Sequence, residues 1–304
     1  MGPGMGRIAD ALKRAERERR LAADFGAAPI EGGVAEPPVS NAIPAPASDD
    51  ASAPMEVIRE GLSESLVPFF ERSSLITEQY RSLRTRLLSQ NPQYEHRVLA
   101  VTSAVPKEGK SVTTLNLGCI LAEIKHLNVL VVDADFRRST LARMLNEPDG
   151  PGLAEVLKGE ATYPHVLRPT PYPNLRFLSA GKTRDPAAAQ LLTAAAAGPI
   201  FKRFQNDFHY TIVDTPPATT VTDVGIIGQM CSGVIVIVRL HRTDEVAAKR
   251  CVRLLQVNNV PIVGCLLIGR DLPLGRYGYG YGYGYGNRYY RYYDYYKKPV
   301  EAAK

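Results

Sequence analysis

The sequence predicts an α/β protein: a mainly parallel β-sheet with helices on both faces, a disordered N-terminal linker and a tyrosine-rich C-terminal tail. Three observations predict it. The apolar, β-prone run Val98–Val101 passes through a loop with Pro106 and Gly109 into Lys110-Ser111 and a helix-like segment through Leu117. Two later apolar runs end on carboxylates, one at Asp133 and Asp135, the other at Asp214. Through the middle of the chain such runs alternate with helical patterns, which is the order of parallel strands joined by crossover helices.

The 304 residues hold one domain of about 200 residues plus extensions. A hydrophobic fraction of 45% supports a real core in the middle. The net charge of +6 is modest and its basic residues gather at the termini. That argues against a nucleic-acid-binding face and leaves room for an anionic membrane or an acidic partner. Cys119, Cys231, Cys251 and Cys265 show no metal-like spacing and stand in apolar segments, so buried packing in a reducing compartment is expected. No apolar run approaches the roughly 18 residues of a membrane span, and no signal peptide is visible. A cytoplasmic protein is expected.

In chain order, residues 1–26 contain a basic amphipathic helix with Ile8, Leu12 and Ala15 on one stripe. It either docks on a partner or membrane surface, or is simply solvated. Residues 27–72 form a Pro/Ala-rich linker, and 73–270 the folded domain. Ser73–Asn91 reads as a helix with Ile76, Tyr80, Leu83 and Leu87 on a buried stripe. Glu78, Arg81 and Arg84 form a polar row beside it, suited either to intrahelical pairing or to bidentate contact with a neighbouring subunit. The helix after Lys110 reaches about Lys125, and Ser139 or Thr140 caps the next one. Short helices are expected at 152–160, 186–197, 200–208, 221–230 and 244–257, and strands at 175–181, 210–214, 233–239 and 261–269. The ligand belongs at the carboxyl ends of the strands, where the motifs fall.

Strand, loop and helix with Gly-Lys-Ser at the helix entrance form a phosphate-binding P-loop. Loop N–H groups and the positive end of the helix dipole converge on phosphate oxygens. Gly109 allows close approach, Lys110 brings charge to the β/γ phosphates, and the Ser111 hydroxyl suits Mg²⁺. The usual spacing wants a glycine where Ala104 stands. The carboxylates after the other two strands supply what a hydrated Mg²⁺ needs beside the phosphates.

The tail from Arg276 changes character. Tyr277, Tyr279, Tyr281, Tyr283, Tyr285, Tyr289, Tyr290, Tyr292, Tyr293, Tyr295 and Tyr296 are eleven of the sixteen tyrosines. Gly-Tyr repeats lack a leucine- or valine-type core, so residues 271–304 read as a flexible tail. It is either a sticky aromatic segment or a set of phosphate acceptors on a tether.

These motifs resemble those of the bacterial tyrosine kinases, P-loop autokinases of capsule and exopolysaccharide synthesis. Ser103-AVPKEGKS is similar to that family's form of the first motif, which accounts for Ala104; Lys107 departs, standing where many members have glycine. Asp133, Asp135 and Arg137 fit the second motif, Asp214 and Pro216 the third, and Glu78, Arg81 and Arg84 the row used for ring packing. The resemblance implies ATP on Pro106, Lys107, Glu108, Gly109, Lys110, Ser111 and Val112, with Mg²⁺ at Ser111, Asp135 and Asp214. It implies Lys110, Asp135 and Asp214 in catalysis, with Asp133 taking the tyrosine proton and the eleven tail tyrosines as acceptors. It further implies a homo-oligomer, a separate membrane chain-length regulator as activator, a tyrosine phosphatase, and recruitment to the inner face of the membrane. The rival readings are a partitioning or septum-site P-loop ATPase, whose loop usually carries a lysine where Val105 stands, and a non-catalytic nucleotide-binding scaffold.

Overall fold

The computed structural model describes residues 61–148, 150–182, 190–220 and 222–269. The expected N-terminal helix, most of the linker and all the tail tyrosines lie outside these residues.

The chain begins with a short helix α1 (Val67–Phe70) and the longer α2 (Leu75–Ser89). Ser74 caps α2, its Oγ accepting from the Thr77 N–H at 3.2 Å. Strand β1 (Arg97–Ser103) leads through the glycine loop into α3 (Lys110–Ala122), and β2 (Val129–Asp133) follows. Next come the short helices α4 (Leu141–Met144) and α5 (Leu153–Leu157), a 3₁₀ turn (Tyr163–Val166), and strands β3 (Arg168–Pro169) and β4 (Leu175–Leu178). The chain continues as α6 (Ala194–Asp207), β5 (Tyr210–Asp214), α7 (Asp223–Gln229), β6 (Gly233–Arg239), α8 (Glu245–Val257) and β7 (Ile262–Ile268).

The strands form one sheet in the order β3-β4-β2-β5-β1-β6-β7. All neighbours are parallel except β3, a two-residue strand antiparallel to β4 that sequence patterning passes over. The strands are apolar along their whole length because both faces are covered. On β1, Val98 and Ala100 face a core with Phe201 and Phe204 of α6 and Val224 and Ile227 of α7. The alternate residues, Leu99 and Val101, face a second core with Leu115, Leu117, Ile120 and Leu121 of α3.

Four expectations change. From residue 190 on, the expected 186–197 and 200–208 helices give way to the single helix α6, capped by the Thr193 Oγ1 and carrying Pro199 inside it, while 186–189 lie outside the described residues. Buried Phe201, Phe204 and Ala197 hold it through a proline that removes one backbone bond. Ile76 is 49% exposed, because the buried face of α2 is carried by Leu87 and by partly buried Tyr80 and Leu83. Cys265 is exposed on the sheet-edge strand β7, whereas Cys119, Cys231 and Cys251 are buried.

Finally, the folded region begins before residue 73. Leu66 and Phe69 are buried in the second core, the Ser63 N–H donates to the Met144 carbonyl at 2.9 Å, and Asn116 Nδ2 donates to the Ser65 carbonyl at 2.9 Å. A proline-rich average over 27–72 hides these few apolar anchors. Leu66→Ala is therefore expected to cost about 2–4 kcal/mol, the range for emptying a buried leucine site. Thermal denaturation reads it as a fall in Tm of several degrees; an unchanged Tm would place the segment outside the cooperative domain.

Candidate active site

Strands β2, β5 and β1 lie side by side in the sheet, and their carboxyl ends bring the three motifs together. Asp133 at the end of β2 pairs in register with Asp214 at the end of β5, and Val101 of β1 pairs with Asp214 from the other side. The segment after β5 is stitched to β1: Thr102 Oγ1 donates to the Pro216 carbonyl at 2.9 Å, and Thr215 Oγ1 to the Val101 carbonyl at 2.9 Å.

The phosphate loop takes its shape from two left-handed residues. Gly109 has φ +100° and Lys107 has φ +64°. The second value gives a physical reason for glycine at position 107, since a side chain there is strained. Lys107→Gly should leave stability unchanged or raise it by under about 1 kcal/mol, whereas β-branched Lys107→Val should lower it by about 1–2 kcal/mol. Chemical denaturation of the two variants checks the contrast.

Lys110 opens α3 and is largely buried. Ser111 Oγ donates to Asp214 Oδ2 at 2.6 Å. The other oxygen, Asp214 Oδ1, is buried and has no hydrogen-bond partner. An orphaned buried carboxylate oxygen beside an oriented serine hydroxyl is what a cation would satisfy. Among the described residues no three His, Cys, Asp or Glu side chains form an ion site by themselves. The Ser111 hydroxyl and the unpaired Asp214 oxygen fit a hard cation that keeps phosphate oxygens and water among its remaining ligands.

The Glu108 and Asp133 carboxylates are both buried. The Glu108 side chain is fully buried and turned away from the loop's open side. Its Oε2 accepts from the Val105 N–H at 3.0 Å, and its Oε1 accepts from the Thr243 hydroxyl. Only its backbone is left to face a phosphate. Asp133 is also fully buried: Oδ1 accepts from the Asp135 N–H at 3.1 Å, and Oδ2 from Ser139 Oγ and the N–H groups of Thr140 and Leu141 at 3.0, 3.1 and 3.2 Å. The cap of α4 is thus the Asp133 carboxylate, in place of the Ser139 or Thr140 side chain. With three donors on Oδ2 and one on Oδ1, the buried Asp133 carboxylate holds the loop that presents Asp135 and keeps spare acceptor capacity only at Oδ1. Asp135 Oδ1 in turn accepts from the N–H groups of Arg137 and Arg138 at 3.2 and 3.0 Å.

The electrostatics follow from crowding. Burial raises the Asp133 pKa, and the Asp135 charge raises it further. Burial likewise holds Asp214 well above the usual carboxylate range; the Asp133 charge adds to that, while Ser111 and Lys110 oppose it. Clustered carboxylates with unfavourable charge are the mark of a site built for a cation and a polyanion.

A family model described as ParA, NUBPL iron-transfer P-loop NTPase, matches residues 95–267. The chain is similar to the putative tyrosine-protein kinase CapB of Staphylococcus aureus, 26% identical, with 64% of this chain and 84% of that protein covered. A solved structure titled BceF tyrosine kinase domain is 30% identical with a TM-score of 0.61, covering 67% of this chain and 81% of that one. The tyrosine-protein kinase CpsD of Streptococcus agalactiae is 30% identical, with 68% of this chain and 88% of that protein covered. The chain belongs to the ParA-type P-loop NTPases and, within them, to the bacterial tyrosine kinases.

In this kinase the polar row of α2 is engaged within the chain. Arg81 grips Glu123, just past the end of α3, through Nε and Nη2 at 3.1 and 2.7 Å. Arg84 Nη1 reaches the same carboxylate at 2.8 Å and the Ile120 carbonyl at 2.7 Å, and Glu78 pairs with Arg81 at 2.5 Å. These partners hold Glu123 ionised against its burial. Glu123 has no motif around it, and nothing in the local spacing marks it; only the packing of α2 on the phosphate-loop helix does. The same is true of Thr243 and Arg239, which reach the phosphate loop from β6 and the turn that follows it. Among the described residues no helix is long and apolar enough to cross a membrane.

Proposed function

We propose that this chain is an ATP-dependent protein-tyrosine autokinase that phosphorylates its own C-terminal tyrosine cluster, between subunits, in the control of exopolysaccharide or capsule polymerisation and export. The observation that carries the mechanism is the convergence of Lys110, Ser111, Asp135 and Asp214 at the ends of three adjacent parallel strands. ATP lies along residues 106–112, with loop N–H groups and the N-terminus of α3 on its phosphates. Lys110 neutralises β/γ charge; Ser111, Asp135 and Asp214 would hold Mg²⁺, which would supply further positive charge beside the phosphates. Asp133 fixes the Asp135 loop. The transition state of phosphoryl transfer is loose, so positioning and charge neutralisation carry most of the acceleration and a strong base is not required.

A tethered tail raises the local concentration of tyrosine at a neighbour's site. Each phosphate adds about −1.5 to −2 charges and turns a basic segment acidic, which favours separation of the subunits. In this reading Glu78, Arg81 and Arg84 lie at the subunit boundary, a membrane chain-length regulator recruits and activates the kinase at the inner face of the membrane, and a phosphatase resets the tail. The test is incubation of the full chain with ATP and Mg²⁺, followed by mass-spectrometric mapping of phosphotyrosine. Labelling within 277–296 is expected. A chain that hydrolyses ATP and never labels tyrosine, even with a membrane activator added, would point to the septum-site type of switch.

A further inference from the structure

The phosphate loop is held from outside at three points, all on elements that come more than a hundred residues later. Glu108, fully buried, has one oxygen on the Val105 N–H at 3.0 Å and the other on the Thr243 hydroxyl. Thr243 Oγ1 also accepts the Arg239 N–H at 2.8 Å, so its proton is directed at Glu108. Arg239 Nη1 donates to the Lys107 carbonyl at 3.1 Å. At Gly109, Ile268 Cδ1 stands 3.2 Å from where a Cβ would be. Between these points lie the two left-handed residues, Lys107 and Gly109.

A loop with two residues in that conformation keeps its shape only if its surroundings over-determine it. No Lys, Arg or His nitrogen lies within 4.0 Å of the Glu108 carboxylate among the described residues. Its burial is therefore compensated by the Val105 N–H and the Thr243 hydroxyl. Removing the hydroxyl leaves Oε1 buried without a donor, and the cheapest relief is for Glu108 to swing out and take residues 105–109 with it.

We propose that Thr243 is a positioning residue for the nucleotide: through Glu108 it sets the phosphate-binding conformation of residues 105–109, and Arg239 assists at Lys107. This rests on the reading of residues 106–112 as the nucleotide loop. It gives the β6–α8 turn a part in nucleotide binding although Thr243 need not touch the nucleotide.

The experiment is calorimetric binding of Mg²⁺-ADP to the full chain and to Thr243→Val, Thr243→Ser and Glu108→Leu, with circular dichroism to establish folding. Thr243→Val keeps the shape and loses the donor; its Kd is expected to rise about tenfold, equivalent to about 1.4 kcal/mol. Thr243→Ser, which keeps the hydroxyl, should bind within about twofold of the parent. The double variant T243V/E108L should bind no more weakly than Glu108→Leu alone, because leucine leaves no acceptor for the Thr243 hydroxyl and both changes break the same link. A folded valine variant that binds like the parent, or effects of the two substitutions that add, would overturn the proposal. Should the valine variant not fold, Thr243→Ala carries the same comparison. The readout is binding alone, so a parent chain that binds Mg²⁺-ADP and never labels tyrosine sinks the kinase reading and leaves this one standing.

Discussion

Lys110→Met is expected to abolish tyrosine labelling of the tail while leaving the fold intact. Lys110 is the first residue of α3 and sits at the ends of β1 and β5, largely enclosed. Methionine keeps the unbranched stem that fills this space, so the loss is one of charge. A single donor aimed at developing charge in an enclosed site is worth about 10²–10³ in rate, and the lysine also contributes to holding the ground-state phosphates. The loss is therefore expected to exceed a hundredfold. The variant also tests the route of transfer. Its tail is intact, so mixing it with a parent chain lacking residues 271–304 separates donor from acceptor. Label on the Lys110→Met chain establishes transfer between subunits. Label that appears only when the tail and Lys110 share a chain would show that each subunit serves itself.

Asp214→Asn is expected to move stability and activity in opposite directions. Asp133 and Asp214 are register partners on adjacent strands, both buried, and Asp214 carries an oxygen with no partner. Without cation or nucleotide the protein bears the cost of that crowding. The amide removes one charge, still accepts from Ser111, and should stabilise the free protein by about 1–3 kcal/mol, or several degrees in Tm. The sign with pH follows from the raised folded-state pKa of Asp214. The folded protein holds protons that the unfolded chain releases above about pH 4. Parent stability thus declines as pH rises from there through the raised folded value, and the advantage of asparagine grows over the same window. Activity should fall at least a hundredfold, since a neutral amide is a poor ligand for a hard cation. Melting curves at pH 5 and pH 8 check the first part and phosphotyrosine labelling the second. A variant less stable than the parent at both values would mean the two carboxylates are not strained.

Much of the site was legible because its parts are local. Gly109, Lys110 and Ser111 adjoin one another, and Asp133 with Asp135 and then Asp214 end apolar runs whose strand character shows directly. The roles of Glu108 and Asp133 were not legible. Each stands in a motif whose spacing suggests contact with ligand, and each carboxylate also holds the surrounding loops through backbone N–H groups and a hydroxyl. Which way a carboxylate faces depends on the donors available to it, and those at Thr243 come from a distant part of the chain. The two expected helices 186–197 and 200–208 run on as one from Ala194 for a related reason: buried Phe201 and Phe204 hold the helix together through Pro199.

Taken alone, the order of residues determined the parallel α/β architecture, the phosphate loop, the acidic strand ends and the kinase resemblance, because each depends on periodicity or on neighbours a few positions apart. Tertiary structure decided which polar groups face the ligand and which brace the loop that binds it. It also decided that Arg81 and Arg84 close on Glu123, and that the folded domain starts by Leu66. These outcomes depend on hydrogen-bond partners and buried area brought together from remote parts of the chain, and no local pattern encodes them.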